Sequence, residues 1–373
     1  MLHLGLFNKY FPIPHFLEMS HSGVHINSTS VHAAEILRTS KGFKLRTYAE
    51  EELETPILIN QSLLGHKNLI DVLKRIQRKN NLKFVEVSIP EEKSYLFTID
   101  VLDGTNEQIR NRIEMHLEEN VPISIDDSIF DYHIIKVDKK NRMLFLAVFV
   151  VPQVIIEEYI SLFELCNMVP VSFLIENQAL AKAVIKRGDK ENYLIVNISH
   201  GSTVLSIVSD ESVRFTSTVS MGSEDLTIAI SDRLLIDTNQ ARFLKYEKGF
   251  SKEKDNEDVS KALIEKTSIL IEEINKVFTY WNGMNSFKNI KIGNPDADPN
   301  ITPDSAVVKK ILIAGKEAGI IGFKDFLATS LKIPVEVVNV WINIASIEND
   351  IPEISMKESL GYGTAFGLAL LKD

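Results

Sequence analysis

The chain has 373 residues, more than one hydrophobic core usually organises, and its length predicts two sizeable domains. A content of 45% hydrophobic and 25% charged residues is that of an ordinary globular protein. The formal net charge of -10 argues against general nucleic-acid binding, because no basic excess is present to neutralise phosphates.

The first part of the chain predicts an apolar segment and then a β-meander. Residues 1–18 lack the basic start and the cleavage site of a signal peptide. We expect them to pack on the body of the protein, with a membrane-surface or partner contact as the alternative. Two strands are predicted within 23–36 and a third over 43–53. A helix over 68–78 and a strand over 84–89 follow.

Residues 94–166 predict a small α+β insert in the order strand, helix, strand, strand, helix. Its first helix is expected at 105–119, with Asn106 as a plausible cap. The apolar run 143–151 is far shorter than the roughly 20 residues of a membrane helix and predicts a strand buried on both faces. Cys166, the single cysteine, excludes an internal disulfide framework, fits a reducing compartment and is predicted to be buried.

The second half of the chain repeats the order of the first. A strand that reaches Asn197 is followed by strands over 203–208 and 213–219, which indicates an internal duplication. The remaining predicted elements are helices near 223–235, 238–245 and 259–280, an exposed loop over 294–304, a strand over 310–314, a Gly-bearing turn over 315–319 and a final helix over 361–371.

Each half places a turn rich in small hydroxyl residues after its first strand. The residues are Asn27, Ser28, Thr29 and Ser30 in the first turn and Gly201, Ser202 and Thr203 in the second. Such turns can bind phosphate, because small residues let backbone N–H groups approach it closely. The alternative is that the hydroxyls only satisfy local backbone groups.

The duplicated pattern resembles the actin-like ATPase superfamily and, within it, the PilM family of type IV pilus assembly, which is related to the FtsA family of cell-division proteins. The resemblance covers nearly the whole chain after residue 19. Its most specific parts are residues 107–131, EQIRNRIEMHLEENVPISIDDSIFD, and residues 174–181, LIENQALA.

This resemblance implies an α/β, actin-like (ribonuclease H-like) duplicated two-domain fold with a small α+β insert in the first domain. The expected parts are an apolar segment at 1–18, a first domain at 19–93 and 167–190, the insert at 94–166, and a second domain at 191–373 with a helical subdomain at about 223–305.

In actin-like proteins, an aspartate from each turn orients Mg²⁺ and a further carboxylate positions the attacking water. His25 and Asn197 stand where those aspartates are expected, and neither supplies a charged oxygen. Glu176 matches the water-positioning carboxylate, so the resemblance makes it a vestigial catalytic residue. The alternative is that Glu176 only favours a helix N-terminus.

On the adenosine side, the resemblance assigns Lys245, Gly315 and Gly319. Lys316 and Glu317 replace residues that are usually glycine, and we expect their side chains to crowd a nucleotide. Four histidines near the N-terminus lack a compact ligand spacing and do not predict a metal site: His15, His21, His25 and His32.

The sequence is therefore compatible with two functions. The first is a scaffold or adaptor in type IV pilus assembly, peripheral at the cytoplasmic face of the inner membrane. It would bind the cytoplasmic tail of a PilN-like membrane protein in a groove beside the insert, and it would bind other pilus assembly proteins. A homo-oligomer is compatible with this function. It would require no cofactor, with ATP and Mg²⁺ at most weak ligands. The alternative is an active actin-like ATPase in pilus assembly or in an FtsA-like cell-division role. The missing carboxylates favour the adaptor.

Overall fold

The computed structural model describes residues 21–39, 42–57, 61–251, 253, 256–290, 307–344 and 353–370. The apolar segment at 1–18 and the loop at 294–304 lie outside the described residues. Within the described part, the chain forms two five-stranded sheets, one three-stranded sheet and the helices that pack on them.

The first sheet contains the early strands of the chain. They are β1 (Ser22–Ile26), β2 (Ser30–Thr39), β3 (Gly42–Glu52), β4 (Phe84–Ile89) and β8 (Val169–Ile175), in the order β3-β2-β1-β4-β8. The first three strands form an antiparallel meander, whereas β4 pairs parallel with β1 and β8 pairs parallel with β4.

The second sheet repeats this arrangement. It contains β9 (Tyr193–Ile198), β10 (Thr203–Ser209), β11 (Ser212–Val219), β12 (Lys310–Ala314) and β13 (Val335–Val337), in the order β11-β10-β9-β12-β13. Again an antiparallel meander is followed by two parallel strands. The matching order and direction confirm the predicted duplication.

Most helices of the described part fall close to their predicted positions. The helices are α1 (Lys67–Asn80), α2 (Asn106–Asn120), α3 (Gln153–Leu165), α4 (Glu176–Val184), α5 (Ser223–Leu234), α6 (Thr238–Glu247), α7 (Glu257–Ile290), α8 (Phe323–Leu331), α9 (Met356–Ser359) and α10 (Gly363–Ala369). The helices Phe323–Leu331 and Met356–Ser359 have no predicted counterpart, and the helix predicted at 259–280 continues to Ile290. The final helix begins two residues later than predicted, because a 3₁₀ turn, Leu360–Tyr362, precedes it.

The third sheet lies in the predicted insert and contains β5 (Tyr95–Leu102), β6 (Ser128–Asp138) and β7 (Met143–Pro152). Its order is β5-β7-β6, with both pairings antiparallel. The central strand β7 buries Leu146 among apolar residues of α2, and it also buries Ala147, which points to the opposite face. The N-cap of α2 is Thr105 rather than Asn106, because Thr105 and Gln108 form a reciprocal capping box.

Helices α4 and α10 cross at very close range. A Cβ atom added to Gly367 would lie 1.7 Å from the carbonyl oxygen of Ala179, so only glycine fits at this crossing. Near it, a Cβ atom on Gly23 of β1 would lie 2.2 Å from the carbonyl oxygen of Ala365. The α4–α10 pair therefore packs directly against β1, at the end of which the first hydroxyl-rich turn begins.

Candidate functional site

The first hydroxyl-rich turn is closed by its own asparagine. Asn27 Oδ1 accepts hydrogen bonds from the backbone N–H of Thr29 at 2.9 Å and from that of Ser30 at 2.8 Å. Its Nδ2 group also donates to Ser30 Oγ at 3.0 Å. The backbone donors that a phosphate would need are thus already satisfied within the turn.

The second hydroxyl-rich turn is held in place by hydrogen bonds to residues outside it. Ser202 Oγ donates to Glu92 Oε1 at 2.8 Å, which joins this turn to the segment after β4. Thr203 is fully buried and donates to the carbonyl oxygen of Met221 at 2.6 Å. Gly201 has open space around the position of a Cβ atom, so no steric reason for glycine exists there.

Glu176 brings the two halves of the site together. It begins α4, and its Oε1 accepts from Asn197 Nδ2 at 3.1 Å and lies 3.8 Å from His25 Nε2. The other ring nitrogen of His25 shares a hydrogen bond with Ser88 Oγ at 2.8 Å. Asn197 Nδ2 also donates to Asn177 Oδ1 at 3.2 Å. His25 and Asn197, at the positions expected to orient a metal, therefore both lie next to Glu176, the residue expected to position water.

Burial makes this cluster electrically neutral near pH 7. Desolvation, reinforced by the neighbouring carboxylates Glu92 and Glu91, raises the pKa of Glu176 to about 8. Desolvation, reinforced by nearby His32, lowers the pKa of His25 to about 3. A divalent cation would therefore have to displace the Glu176 proton before it could gain a charged ligand from this pair.

Lys245 is paired inside the protein. Its side chain is 1% exposed, and its Nζ lies 3.2 Å from Glu317 Oε2. The same Nζ donates to Ser223 Oγ at 2.8 Å, and Tyr246 donates its hydroxyl proton to Glu317 Oε1 at 2.7 Å. Burial lowers the pKa of Lys245, and the Glu317 carboxylate opposes that shift. Lys245, which the resemblance assigns to the adenosine side, thus already has Glu317 as its ion-pair partner.

The turn that carries Glu317 is tightly constrained. Gly315 has φ +86°, and a Cβ atom there would lie 2.4 Å from the carbonyl oxygen of Ile198. Residues Lys316–Gly319 form a 3₁₀ turn, from which Lys316 makes an ion pair with Glu50 of β3. A Cβ atom on Gly319 meets only ordinary contacts, at 3.7 Å from Lys357, so this position does not need glycine for space.

A cleft of about 440 Å³ lies between these elements. The predicted site residues that line it are His25, Asn27, Thr29, Ser30, Glu176, Asn197 and Gly315. Ser28, Gly201 and Ser202 instead line an adjacent, more apolar cavity of about 570 Å³. Lys245 and Thr203 are buried behind these surfaces.

The donor set of the cleft does not fit Mg-ATP. Besides the neutral Glu176, the described residues that line it include four glutamates, Glu52, Glu54, Glu224 and Glu317, against two basic side chains, Arg242 and Lys316. Phosphates would meet this acidic lining without a pair of aspartates to hold the metal that normally compensates them. Turn amides bonded to Asn27 remove a further set of phosphate donors.

Several residues of this site escaped the sequence reasoning. Ser88, Asn177, Ser223, Tyr246 and Glu92 bind other residues of the site from distant parts of the chain. Two of them had a signal in the sequence, since Asn177 follows Glu176 within the segment 174–181 and Tyr246 follows Lys245 directly. The other three carry no motif.

A second concave surface lies beside the insert and has a volume of about 540 Å³. We name it the insert groove and define it by residues 129–133 of β6, 172–175 of β8 and 211–213 of the β10–β11 turn, with Ile89, Phe149, Val151, Ile156 and Gln178. In the described part of the chain, β6 and β8 are the outer strands of their sheets. The groove therefore runs between two unpaired strand edges.

The described residues form neither a membrane-spanning helix nor a metal cluster. Within the described ranges, no helix combines the length and apolarity that crossing a bilayer would require. Among the same residues, no group of three or more His, Cys, Asp or Glu side chains is arranged to hold a metal ion.

The family model for the type IV pilus assembly protein PilM matches residues 23–292, well over half of the chain. The chain belongs to the PilM family. A solved structure titled "PilM-PilN type IV pilus biogenesis complex" is similar over 94% of this chain and 98% of that chain, with a TM-score of 0.67 and 15% identity. The PilM resemblance predicted from the sequence is thus confirmed.

A second similar structure is the ethanolamine utilization protein EutJ from Carboxydothermus hydrogenoformans, with a TM-score of 0.52 and 14% identity. The match covers 96% of this chain and 90% of EutJ. At such identities the likeness shows the fold alone, and that fold is actin-like, as predicted. The chain is thus a PilM-family protein with an actin-like fold.

Proposed function

We propose that this protein is an adaptor of type IV pilus assembly that captures the cytoplasmic tail of a PilN-like membrane protein in the insert groove. The observation that carries the proposal is the position of this groove between the outer edges of β6 and β8. The similarity to a PilM–PilN complex supports the class of partner.

The groove has the chemistry that an extended peptide needs. Outer strands offer unpaired backbone N–H and C=O groups, which a peptide can bind by adding one more strand. Ile129, Phe149 and Phe173 provide apolar surface for alternate side chains of that peptide. Ile129 is 44% exposed, so its side chain is accessible to such a peptide.

Capture of a membrane protein's tail would place the adaptor at the cytoplasmic face of the inner membrane without a membrane segment of its own. From there it would connect the membrane partner with other pilus assembly proteins. Peptide capture requires no metal and no catalytic carboxylate, so the departures at His25 and Asn197 are compatible with this function.

Loss of ATP hydrolysis is part of the proposal. Support comes from the neutral pair of Glu176 and His25, from the turn donors bonded to Asn27, and from the acidic lining of the cleft. In a phosphate-release assay with Mg-ATP, wild type and Glu176→Gln should both stay at background. A turnover that Glu176→Gln abolishes would instead favour the active-ATPase alternative.

The partner proposal can be tested by calorimetric titration with a synthetic N-terminal tail peptide of the PilN-like protein from the same organism. Ile129→Glu places a charge in the groove, and Val137→Glu is its matched control. Both residues lie on β6 with similar exposure, 44% and 48%, but Val137 is outside the groove. We expect at least tenfold weaker binding for Ile129→Glu and less than twofold change for Val137→Glu.

Equal effects of the two substitutions would remove the groove as the binding site. Absence of binding to the wild-type protein would overturn the partner itself. Melting temperatures of both variants should match the wild type, since both side chains are exposed, and this check separates lost binding from lost folding.

A further inference from the structure

The cleft contains a polar site that is filled by the protein itself. Glu317 is 4% exposed, and three donors from α5 and α6 converge on its carboxylate. Lys245 Nζ lies 3.2 Å away, the Tyr246 hydroxyl donates at 2.7 Å, and the Ser223 hydroxyl also donates to it. Such a set of a cation and two hydroxyls would bind a carboxylate or the hydroxyls of a sugar.

The donors are not independent of Glu317. Lys245 is almost fully buried, and a buried ammonium needs a compensating charge. Ser223 donates to Glu317 and accepts from Lys245 through one hydroxyl group. The Glu317 carboxylate therefore supplies both a hydrogen-bond acceptor and a negative charge to these donors. A water molecule in its place would supply the acceptor but not the charge.

The neighbouring residue fixes the same turn to the other half of the protein. Lys316 forms an ion pair with Glu50 of β3, and a Cβ atom on Gly361 would lie 3.0 Å from Lys316 Cε. Glu50 is also 3.5 Å from His32 Nε2, which has no hydrogen-bond partner among the described residues. The 3₁₀ turn Lys316–Gly319 thus has contacts on both sides of the cleft.

We propose that this turn is an internal clasp: the Glu317 carboxylate occupies the donor site of the nucleotide cleft, and Lys316 joins the two halves in place of a bound ligand. This inference goes beyond the capture of a partner peptide, since it concerns the state of the cleft and not the insert groove. The donor site is thus occupied by the protein's own carboxylate, and the sugar of a nucleoside is excluded from it until Glu317 is removed.

The test is a calorimetric titration with adenosine, which offers free ribose hydroxyls to the donors and carries no phosphate for the acidic lining to repel. Glu317→Ala removes the internal carboxylate, and Glu336→Ala is the matched control because it breaks another Lys–Glu pair, with Lys310, outside the cleft. We expect no saturation for wild type and Glu336→Ala up to millimolar probe, and at least tenfold tighter binding for Glu317→Ala. Saturable wild-type binding, or identical curves for all three proteins, would overturn the proposal.

Removal of Glu317 leaves Lys245 unpaired and can impair folding, so a second measurement is needed. Sodium acetate supplies a small carboxylate to the vacated donors. It should raise the melting temperature of Glu317→Ala by several degrees relative to sodium chloride at equal ionic strength, or restore its folding, and leave Glu336→Ala unchanged. Equal responses of the two variants to acetate would contradict the clasp.

A third variant tests the contact across the cleft without touching the buried unit. Lys316→Ala should increase amide hydrogen exchange severalfold in the 3₁₀ turn and around Glu50, whereas Lys324→Ala, an exposed lysine on α8, should not. Unchanged exchange in Lys316→Ala would show that Lys316 does not hold the cleft. The peptide titration is independent of these results, so failure of the clasp and failure of the adaptor function are distinguishable.

Discussion

The Nδ2 group of Asn197 lies 3.1 Å from Glu176 Oε1 and 3.2 Å from Asn177 Oδ1, so one amide serves two acceptors at the start of α4. An aspartate at position 197 could not donate either hydrogen bond. Asparagine at position 197 therefore suits the hydrogen bonds with Glu176 and Asn177. It is also a poor substitute for a metal-orienting carboxylate.

Asn197→Asp should destabilise the protein by about 1–3 kcal/mol, because it removes two donors and places a second carboxyl group against Glu176. Urea denaturation at pH 7 measures the change in the free energy of unfolding. Asn106→Asp, at an exposed helix start, is the control and should be neutral or slightly stabilising. Equal stability of Asn197→Asp and wild type would show that the donors contribute nothing.

Glu176→Gln should make stability less dependent on pH. The folded-state pKa of about 8 exceeds the ordinary value of 4.5, so the folded state keeps this proton after the unfolded chain has released it. The stabilisation is present below pH 4.5 and is lost as pH rises towards 8. Across this pH range, the free energy of unfolding of Glu176→Gln should rise relative to that of wild type by on the order of 3 kcal/mol.

Denaturation curves at several pH values between these limits will test the effect of Glu176→Gln. The exposed Glu164→Gln on α3 should follow the wild-type profile. Parallel profiles for wild type and Glu176→Gln would mean that Glu176 is ionised in the folded protein. Glu91, whose pKa burial raises to about 7, should leave a residual slope of the same sign in the variant.

Asn27→Ala should cost about 1–2 kcal/mol, because two backbone N–H groups of the first turn lose their acceptor. Asn27→Asp keeps an acceptor oxygen at the same position and should cost less. Chemical denaturation of the two variants separates the hydrogen-bond role from side-chain volume. If alanine and aspartate cost the same, the turn does not depend on this acceptor.

Gly367→Ala should lower stability by more than about 3 kcal/mol, because its Cβ atom would overlap the carbonyl oxygen of Ala179. Gly201→Ala, by contrast, adds its Cβ atom in open space and should change stability by less than about 0.5 kcal/mol. Thermal melting of both variants provides the comparison. A tolerated alanine at 367 would show that α4 and α10 can move apart at little cost.

Much of the fold could be predicted because local patterns determine it. Alternation located the two meanders, and apolar spacing located α1 and α2 within one or two residues. The error at the cap of α2 was avoidable in principle, since Thr105 and Gln108 have the spacing of a capping box.

The site was harder to predict, because its contacts join distant parts of the chain. The resemblance to actin-like proteins placed His25, Asn197 and Glu176 in one cleft, but it could not show that Asn27 bonds its own turn. Glu317 was expected only to crowd a nucleotide, and its pairing with Lys245 depends on how α6 lies against the Lys316–Gly319 turn. Long-range pairings of this kind have no periodic signal in the sequence.

Cys166 is fully buried, and burial raises the pKa of its thiol to about 11. It is also the single cysteine of the chain. Because thiolates are the reactive species, a cysteine introduced at the surface would react with maleimide or spin-label reagents far faster than Cys166. Two such labels, one on each five-stranded sheet, would report distances across the cleft in the otherwise native sequence.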